Sequence, residues 1–504
     1  MNRQTHKQNE RFKQSEASAP TVNTDHYNIP LSSDIQQQIQ QIQELLQTDE
    51  LQWAIEEDGI SGCMYMDTFI DDQAFQQDIV PRLGRWEHHS NEWEKLFPSG
   101  SAVSKVSDML QRLLHGDVIL LHEALGGSAI AVPVPFQKGR AIEPPKVERV
   151  ILGPQEAYVE DLRVNLGLLR KRLRDPNMVV RYYEIGQRTK TATCLVYIND
   201  IAREEWVQEI QNKIAQIDID SILILKDLME FINGRNLTPF PMYEKSELPS
   251  RSALYLQKGR IGIMIDGTPF MAFLPTNLLT SFIGGEAVIH GTIIPLFVRI
   301  IRIIAFIIAL YAPAVYLALV TVDSSVLPTA FAISIAQDQR GIPYLSLFET
   351  LMMMLVMDLL NEGMTYVPGN VGSALNVVGS LIIGQAAAQA GLTSKFMIII
   401  ASISAVGAYI ASYQISYAAR LWKYPLILAA GFFGFYGITV VSVLLLGHLA
   451  GRKSLGVPYM KPLSPLVFRD IRGTFFPPDL RKVILREETF KPGNKTRQKG
   501  DPNS

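Results

Sequence analysis

The stretch Ile303–Val322, IIAFIIALYAPAVYLALVTV, runs for twenty residues without a formal charge. A helix needs about twenty apolar residues to cross a hydrocarbon layer about 30 Å thick, so this run reads as a membrane span. It splits the 504-residue chain into a charged, mixed front part and a back part with further long apolar segments. Any fold must therefore join a soluble module to a membrane bundle.

Composition narrows the functions such a chain can carry. With 47% hydrophobic and 19% charged residues it is too apolar for an ordinary soluble protein and too charged for an all-membrane one. A net charge of -2 and no basic stripe in the front half exclude bulk nucleic-acid binding, so no nucleic-acid partner is expected. Cys63 and Cys194 each sit in a short apolar run and read as buried small hydrophobes in a reducing compartment. Residues 1–31 read as a disordered polar leader without an apolar signal region, which leaves the front half on the cytoplasmic side.

The front half reads as α/β. Ile35, Ile39, Ile42 and Leu46 recur at helical spacing after Ser32-Ser33-Asp34 and predict an amphipathic entry helix reaching to about Ile55. Short β-like runs then alternate with helical ones. Two pieces recur: CMYMDTFIDDQAFQQDIVPRL resembles CLVYINDIAREEWVQEIQNKI, and LLHGDVILLHEALGGSAIAVPV resembles YLQKGRIGIMIDGTPFMAFLP. We read two similar lobes built on a duplicated strand-helix unit, residues 32–145 and 146–290, with a cleft between them. Asp266-Gly267 between two apolar runs predicts a type I′ hairpin.

No phosphate loop, dinucleotide fingerprint, H-E-x-x-H or C-x-x-C occurs. No catalytic residue, cofactor or metal is expected. His88, His89 and the His122-Glu123 pair read as surface or structural groups. A non-enzymatic role follows from the absence of a catalytic constellation.

The membrane domain, residues 291–450, is expected to be an α-helical multi-pass bundle of four to six segments. After Val322 comes LSLFETLMMMLVMDLLNEG, which carries Glu349, Asp358 and Glu362, followed by three runs free of acids, Lys and Arg. On a helix Asp358 and Glu362 share a face and Glu349 lies nearly opposite. That shared face is either an ion path or a solvated interfacial surface. In the run from Val371, Ser380, Gly384 and Ala388 form a small-xxx-small row beside Gly379, which suits close helix packing. Gln385 and Gln389 share another face with Asn376 roughly opposite, and such a wall repeated around a ring of subunits would line a pore.

Arg299 and Arg302 precede the first span, Arg420 and Lys423 flank the last, and all four read as membrane-interface anchors. Residues 451–504 hold twelve Lys and Arg against five acids and read as a basic cytoplasmic tail. Both ends cytoplasmic requires an even number of crossings, yet five candidates are visible. Either the stretch around Asp358 fails to span, or a sixth crossing hides in MAFLPTNLLTSFIGG or PTAFAISIA.

The ordered string from VERVILGPQEAYVEDLRVNLGLLRKRLRDPN through IGQRTKTATCLVYIND, TPFPMYEKSELPSRSALYLQKGRIGIMIDGTPF and IGQAAAQAGL to LGVPYMKP resembles the A subunit of a GerA-type spore germinant receptor. Residues 1 to about 100 match that pattern poorly. The resemblance implies a multi-pass protein of the spore inner membrane with cytoplasmic N- and C-terminal parts. Its implied partners are a B subunit resembling an amino-acid permease, a C-subunit lipoprotein, a homo-oligomer of A subunits and membrane lipids. The implied role is nutrient sensing and an ion-conducting pore that triggers germination, against the alternative of a non-conducting scaffold that assembles the receptor complex.

Overall fold

A computed structural model describes residues 28–56, 60–70, 74–86, 93–134, 144–145, 148, 153–234, 237–283, 293–365, 384–410, 413–475 and 484–497. The leader lies almost wholly outside them. Lobe one contains α1 (Ile35–Leu46), β1 (Leu51–Ile55), β2 (Ser61–Met66), α2 (Val80–Trp86), β3 (Ser101–Val103), α3 (Val106–Leu113), β4 (Asp117–His122) and β5 (Ala129–Pro133). Lobe two contains α4 (Leu162–Arg172), β6 (Met178–Ile185), β7 (Thr191–Ile198), α5 (Glu204–Ala215), α6 (Leu225–Asn233), β8 (Glu244–Ser246), α7 (Pro249–Gln257), β9 (Ile261–Ile265) and β10 (Met271–Leu274).

The sheets run β1-β2-β4-β5-β3 and β6-β7-β9-β10-β8, all neighbours antiparallel. One order, threaded twice, is what the recurring sequence pieces encode. Period-two burial covers both faces of each sheet. In β4, Ile119 and Leu121 face α1 and α3, while Val118 and Leu120 face Trp86 and Phe97. In β9, Met264 faces α4 and α7, while Ile263 and Ile265 face α5 and α6.

Two local expectations are corrected. The entry helix ends at Leu46, because Gln47 turns left-handed at φ 44°, and Leu51–Ile55 is an edge strand rather than helix. The β9–β10 connection is a five-residue loop in which Gly267, at φ 80°, has positive φ and Asp266 does not, so it is no two-residue type I′ turn. Its job is different: Asp266 Oδ1 accepts from Leu162 N at 3.1 Å and Gly267 N donates to Glu160 O at 2.8 Å, which fixes the start of α4. Cys63 and Cys194 are not equivalent: Leu120 faces Cys63 across the ladder and Ile263 faces Leu195, so the repeat is shifted by one residue there and the two thiols lie on opposite layers.

The lobes meet along α4 and β6. Arg170 and Glu50 are fully buried and paired, with Arg170 Nε 2.9 Å from Glu50 Oε2. Arg181 Nη1 reaches Asp49 Oδ1 at 2.6 Å, and Arg163 Nη2 donates to Asp67 O at 2.7 Å. A small cavity of about 190 Å³ lies beside this contact, between α1 and Asn177 and Asn199.

The back part contains α8 (Ile293–Thr321), α9 (Thr329–Gln339), α10 (Ser346–Thr365), α11 (384–389), α12 (Lys395–Ile410) and α13 (Tyr413–Ala450). Among the described residues, two helical stretches are long and apolar enough to cross a membrane, Ile293–Thr321 and Ile415–Ala450. The second is not one rod. Gly434 takes φ 57°, ψ -140°, and the chain reverses there. Trp422 and His448 stack at 5.7 Å, whereas 26 residues of straight helix would hold them about 39 Å apart. MAFLPTNLLTSFIGG forms β10 and the turn Leu278–Phe282 of lobe two in its described part, and PTAFAISIA lies in the short, mostly exposed α9.

Candidate functional site in the helical bundle

The contacts along α8 set the directions of its neighbours. Tyr316 OH meets Ser394 Oγ at 3.1 Å, Ser404 Oγ donates to Ala309 O at 2.8 Å, and Tyr311 OH donates to Ser442 Oγ at 3.0 Å. Both α12 and the second limb of α13 (435–450) therefore run antiparallel to α8. Leu347 packs at Gly431, Asp358 at Lys423 and Glu362 at Arg420, so α10 runs antiparallel to the first limb (413–433). The N-terminus of α8 and the C-terminus of α13 share the lobe-two end, where His448 Nε2 meets Thr238 Oγ1 at 2.9 Å.

All three acids singled out in α10 are turned to protein partners. Glu349, 1% exposed, accepts from Ser394 N at 2.6 Å, Ser394 Oγ at 2.8 Å and Thr393 Oγ1 at 3.0 Å. Its carboxylate thereby satisfies the unpaired amide at the start of α12 and meets the positive end of that helix's dipole. Asp358 binds Lys423 Nζ at 2.8 Å and Tyr424 OH at 2.5 Å. Lys423 is only 5% exposed, so burial excludes competing water and strengthens the pair while raising the cost of losing either partner. Glu362, one turn on and about half exposed, reaches Arg420 at 3.8 Å. These contacts place Arg420 and Lys423 beside Trp422, whose ring lies 5.7 Å from that of His448, near the lobe-two contact that His448 makes.

Around 384–389 the small row and the amides separate. Gly384 is buried, with Ile398 Cγ2 3.2 Å from where its Cβ would lie; Ala388 is half-buried, while Gln385 and Gln389 are exposed. Asn376, Gly379 and Ser380 lie outside the described residues. At the opposite end from lobe two, Asp323 Oδ2 accepts from Phe435 N at 2.8 Å and caps the second limb immediately after the break at Gly434.

A second polar cluster joins lobe two to the bundle, and sequence reasoning missed it. Arg251 pairs with Glu148 and, at 3.1 Å, with Glu244, and its Nη2 donates to Ile283 O at 2.6 Å. Arg260 Nη2 donates to Thr280 Oγ1 at 2.7 Å and lies over the rings of Tyr255 and Phe490 at 4.5 and 4.1 Å. Burial pushes the Glu244 carboxyl up to about 7 against the pull of Arg251 and Arg260, and it lowers the Arg260 guanidinium. Arg302 Nη1, from the first turns of α8, reaches Phe282 O at 3.3 Å in the same short segment, and Arg299 is buried beside it in sequence. The available signal was the clustering of Arg251, Tyr255 and Arg260 on and just after one helix that also carries the buried face of lobe two.

Comparisons with known proteins agree on one family. The pattern described as Bacillus/Clostridium GerA spore germination protein matches residues 33–489. Spore germination protein GerLA of Bacillus cereus is 33% identical over 73% of this chain and 75% of its own length. Spore germination protein KA of Bacillus subtilis (strain 168) is 30% identical over 87% of this chain and 82% of its own. The crystal structure of the N-terminal domain of the A subunit of the Bacillus megaterium spore germinant receptor GerK3 aligns at 25% identity with a TM-score of 0.37, covering 48% of this chain and 95% of that one. A family match that spans both lobes and the helical bundle leaves one assignment, and the chain belongs to the GerA family of spore germination proteins.

Proposed function

We propose that this chain is the A subunit of a nutrient germinant receptor of the spore inner membrane, and that its bundle oligomerises to contribute an ion-conducting pore. The observation that carries the reading is the division of the 384–389 turn, with Gly384 packed inward on α12 and Gln385 and Gln389 exposed. Amides facing hydrocarbon are costly, so this face calls for water or another protein surface, and a ring of copies supplies both. By sequence spacing Asn376 falls roughly opposite these two glutamines, and Gly379, Ser380, Gly384 and Ala388 are packing positions in this reading. Glu349, Asp358 and Glu362 then set the positions of α10, α12 and α13 around the path rather than lining it bare.

The hairpin at Gly434 accounts for the even number of crossings. Helices α8, α10, α12 and the two limbs of α13 give five traverses in this reading, and the apolar run from Val371, taken as a span from its sequence alone, makes six. Lobes and C-terminal residues then share the cytoplasmic side, with Arg299, Arg302, Arg420 and Lys423 toward that side, as the positive-inside rule favours. A B subunit resembling an amino-acid permease and a C-subunit lipoprotein are the partners the family suggests. The web of ties between lobe two and the bundle favours a second reading, a coupling scaffold that assembles the complex without conducting.

The test is cation flux from liposomes holding the purified full chain. Gln385→Leu with Gln389→Leu is expected to reduce flux at least tenfold while assembly, read by native mass spectrometry, is retained. Unchanged flux in the double variant removes the pore assignment, and no flux from the unaltered chain selects the scaffold.

A further inference from the structure

A cleft of about 750 Å³ opens at the lobe-two end of the bundle, between α6, the 237–245 segment and Tyr417 at the start of α13. Its floor is apolar, formed by Phe240, Met242 and Phe270, and Lys226 and Lys245 stand at its walls. Of the acids in the wall, Glu148 is engaged by Arg251 and Ser246, which leaves Glu230 against two lysines. Among the described residues neither lysine has a carboxylate within ion-pair distance; Lys245 lies 5.3 Å over the Tyr243 ring. Burial and the neighbouring Lys226 lower the Lys245 ammonium, as expected of two cations without a counter-ion.

The position of the cleft identifies the solvent it faces. Arg452 Nη2 donates to Leu237 O at 3.4 Å and His448 meets Thr238, so the 237–245 segment is fixed at the end of the last apolar helix. Leu237 is 80% exposed there, and Leu223 and Ile224 are exposed just before α6, the helix that carries Lys226. An exposed leucine level with a helix end, beside two lysines that have no acidic partner among the described residues, has the composition of a membrane-contacting surface. The lipid-facing apolar surface continues from it through Tyr417 and Leu421 of α13, both exposed.

We propose that this cleft holds one glycerophospholipid of the surrounding leaflet, its phosphate between Lys226 and Lys245 and an acyl chain along Leu237, Phe240 and Met242. The occupant is a lipid rather than a free phosphate because the floor is apolar and open toward the bundle surface. The inference rests on the membrane placement above, and alkaline carbonate extraction of the full chain tests that placement separately. Release of the unaltered chain by carbonate would defeat the placement; a carbonate-resistant chain without bound lipid would defeat the cleft assignment alone.

The experiment is native mass spectrometry of the full chain from detergent, after exchange into phosphatidylglycerol nanodiscs and washing. One retained lipid per chain is expected. Lys226→Gln with Lys245→Gln should weaken retention roughly fivefold per lysine, the equivalent of about 1 kcal/mol for each basic group near a lipid phosphate. Lys213→Gln, on the exposed face of α5, should leave retention unchanged. Equal retention in the double variant overturns the assignment. Saturation of the same lysines by inorganic phosphate, without loss of the bound lipid, also overturns it and marks a soluble-anion site. Leu237→Asp, which leaves both lysines in place, should weaken retention, and no effect there removes the acyl-chain contact from the proposal.

Discussion

Asp358 and Lys423 illustrate how a charged residue survives in an apolar bundle. The carboxylate has the ammonium at 2.8 Å and the Tyr424 hydroxyl at 2.5 Å, so both its oxygens are satisfied from one neighbouring helix. Lys423→Met leaves that carboxylate, 18% exposed, with one neutral donor; losing one partner of a fully buried pair costs about 3–5 kcal/mol, so a loss near or below the lower end of that range is expected. The double change Asp358→Asn with Lys423→Met removes the stranded charge and is expected to recover most of the loss. Thermal unfolding of the full chain in detergent measures both. Strictly additive losses, with the double variant the least stable of all, would show that the two groups do not act as a pair.

At the scale of elements, the decisive feature is the break in α13. A side chain at Gly434 meets two obstacles: a positive φ with an extended ψ, and Asp323 Oδ2 lying 2.1 Å from where its Cβ would be. Gly434→Val is therefore expected to open the hairpin. Cysteines placed at positions 422 and 448, where two rings now stack, should crosslink in the parent chain and fail to do so once Gly434→Val is introduced. Crosslinking that persists in the variant would mean the reversal does not depend on Gly434. This element also shows what a sequence can and cannot disclose. The duplicated lobes were legible because strand alternation and helix periodicity are local and each occurs twice. The reversal at Gly434 was not, because PLILAAGFFGFYGITVVSVLLLGHLA reads as one continuous apolar run and its reversal depends on a distant carboxylate, that of Asp323, 112 residues before the Phe435 amide it caps. The same holds for the bundle's polar residues. That Asp358 and Glu362 share a face follows from their spacing, but that Lys423 and Arg420 lie across from them depends on which helices pack together.

At the scale of the whole molecule, the C-terminal residues turn a tail into a strap. The short hairpin Lys453–Ser454 and Val457–Pro458 leaves the last helix, Ser454 Oγ donates to Met242 O at 3.1 Å, and Leu278 N donates to Tyr459 O at 2.9 Å. Further on, Lys258 Nζ pairs with Glu487 at 2.6 Å, Gly493 N donates to Ile201 O at 2.8 Å, and Phe490, 1% exposed, closes over Arg260. Lobe two is thus held to the bundle at the entry of α8 and again after the exit of α13. Both attachments lie at the shared lobe-two end of the bundle, so a movement of the lobe acts on the first and the last helix together. Phe490→Ala removes an apolar cover and a cation–π contact together, a loss of about 3–5 kcal/mol by the usual cost of truncating a buried phenylalanine. Hydrogen exchange on the full chain locates that loss. Faster exchange is expected in Leu278–Phe282 and in residues 486–494, with the β4–β5 ladder of lobe one unchanged, because among the described residues the two lobes touch through α4 and β6 and not through the strap. Acceleration spread evenly over both lobes would instead mean that lobe one, lobe two and strap open as a single cooperative unit, and that the strap does not transmit selectively to the bundle.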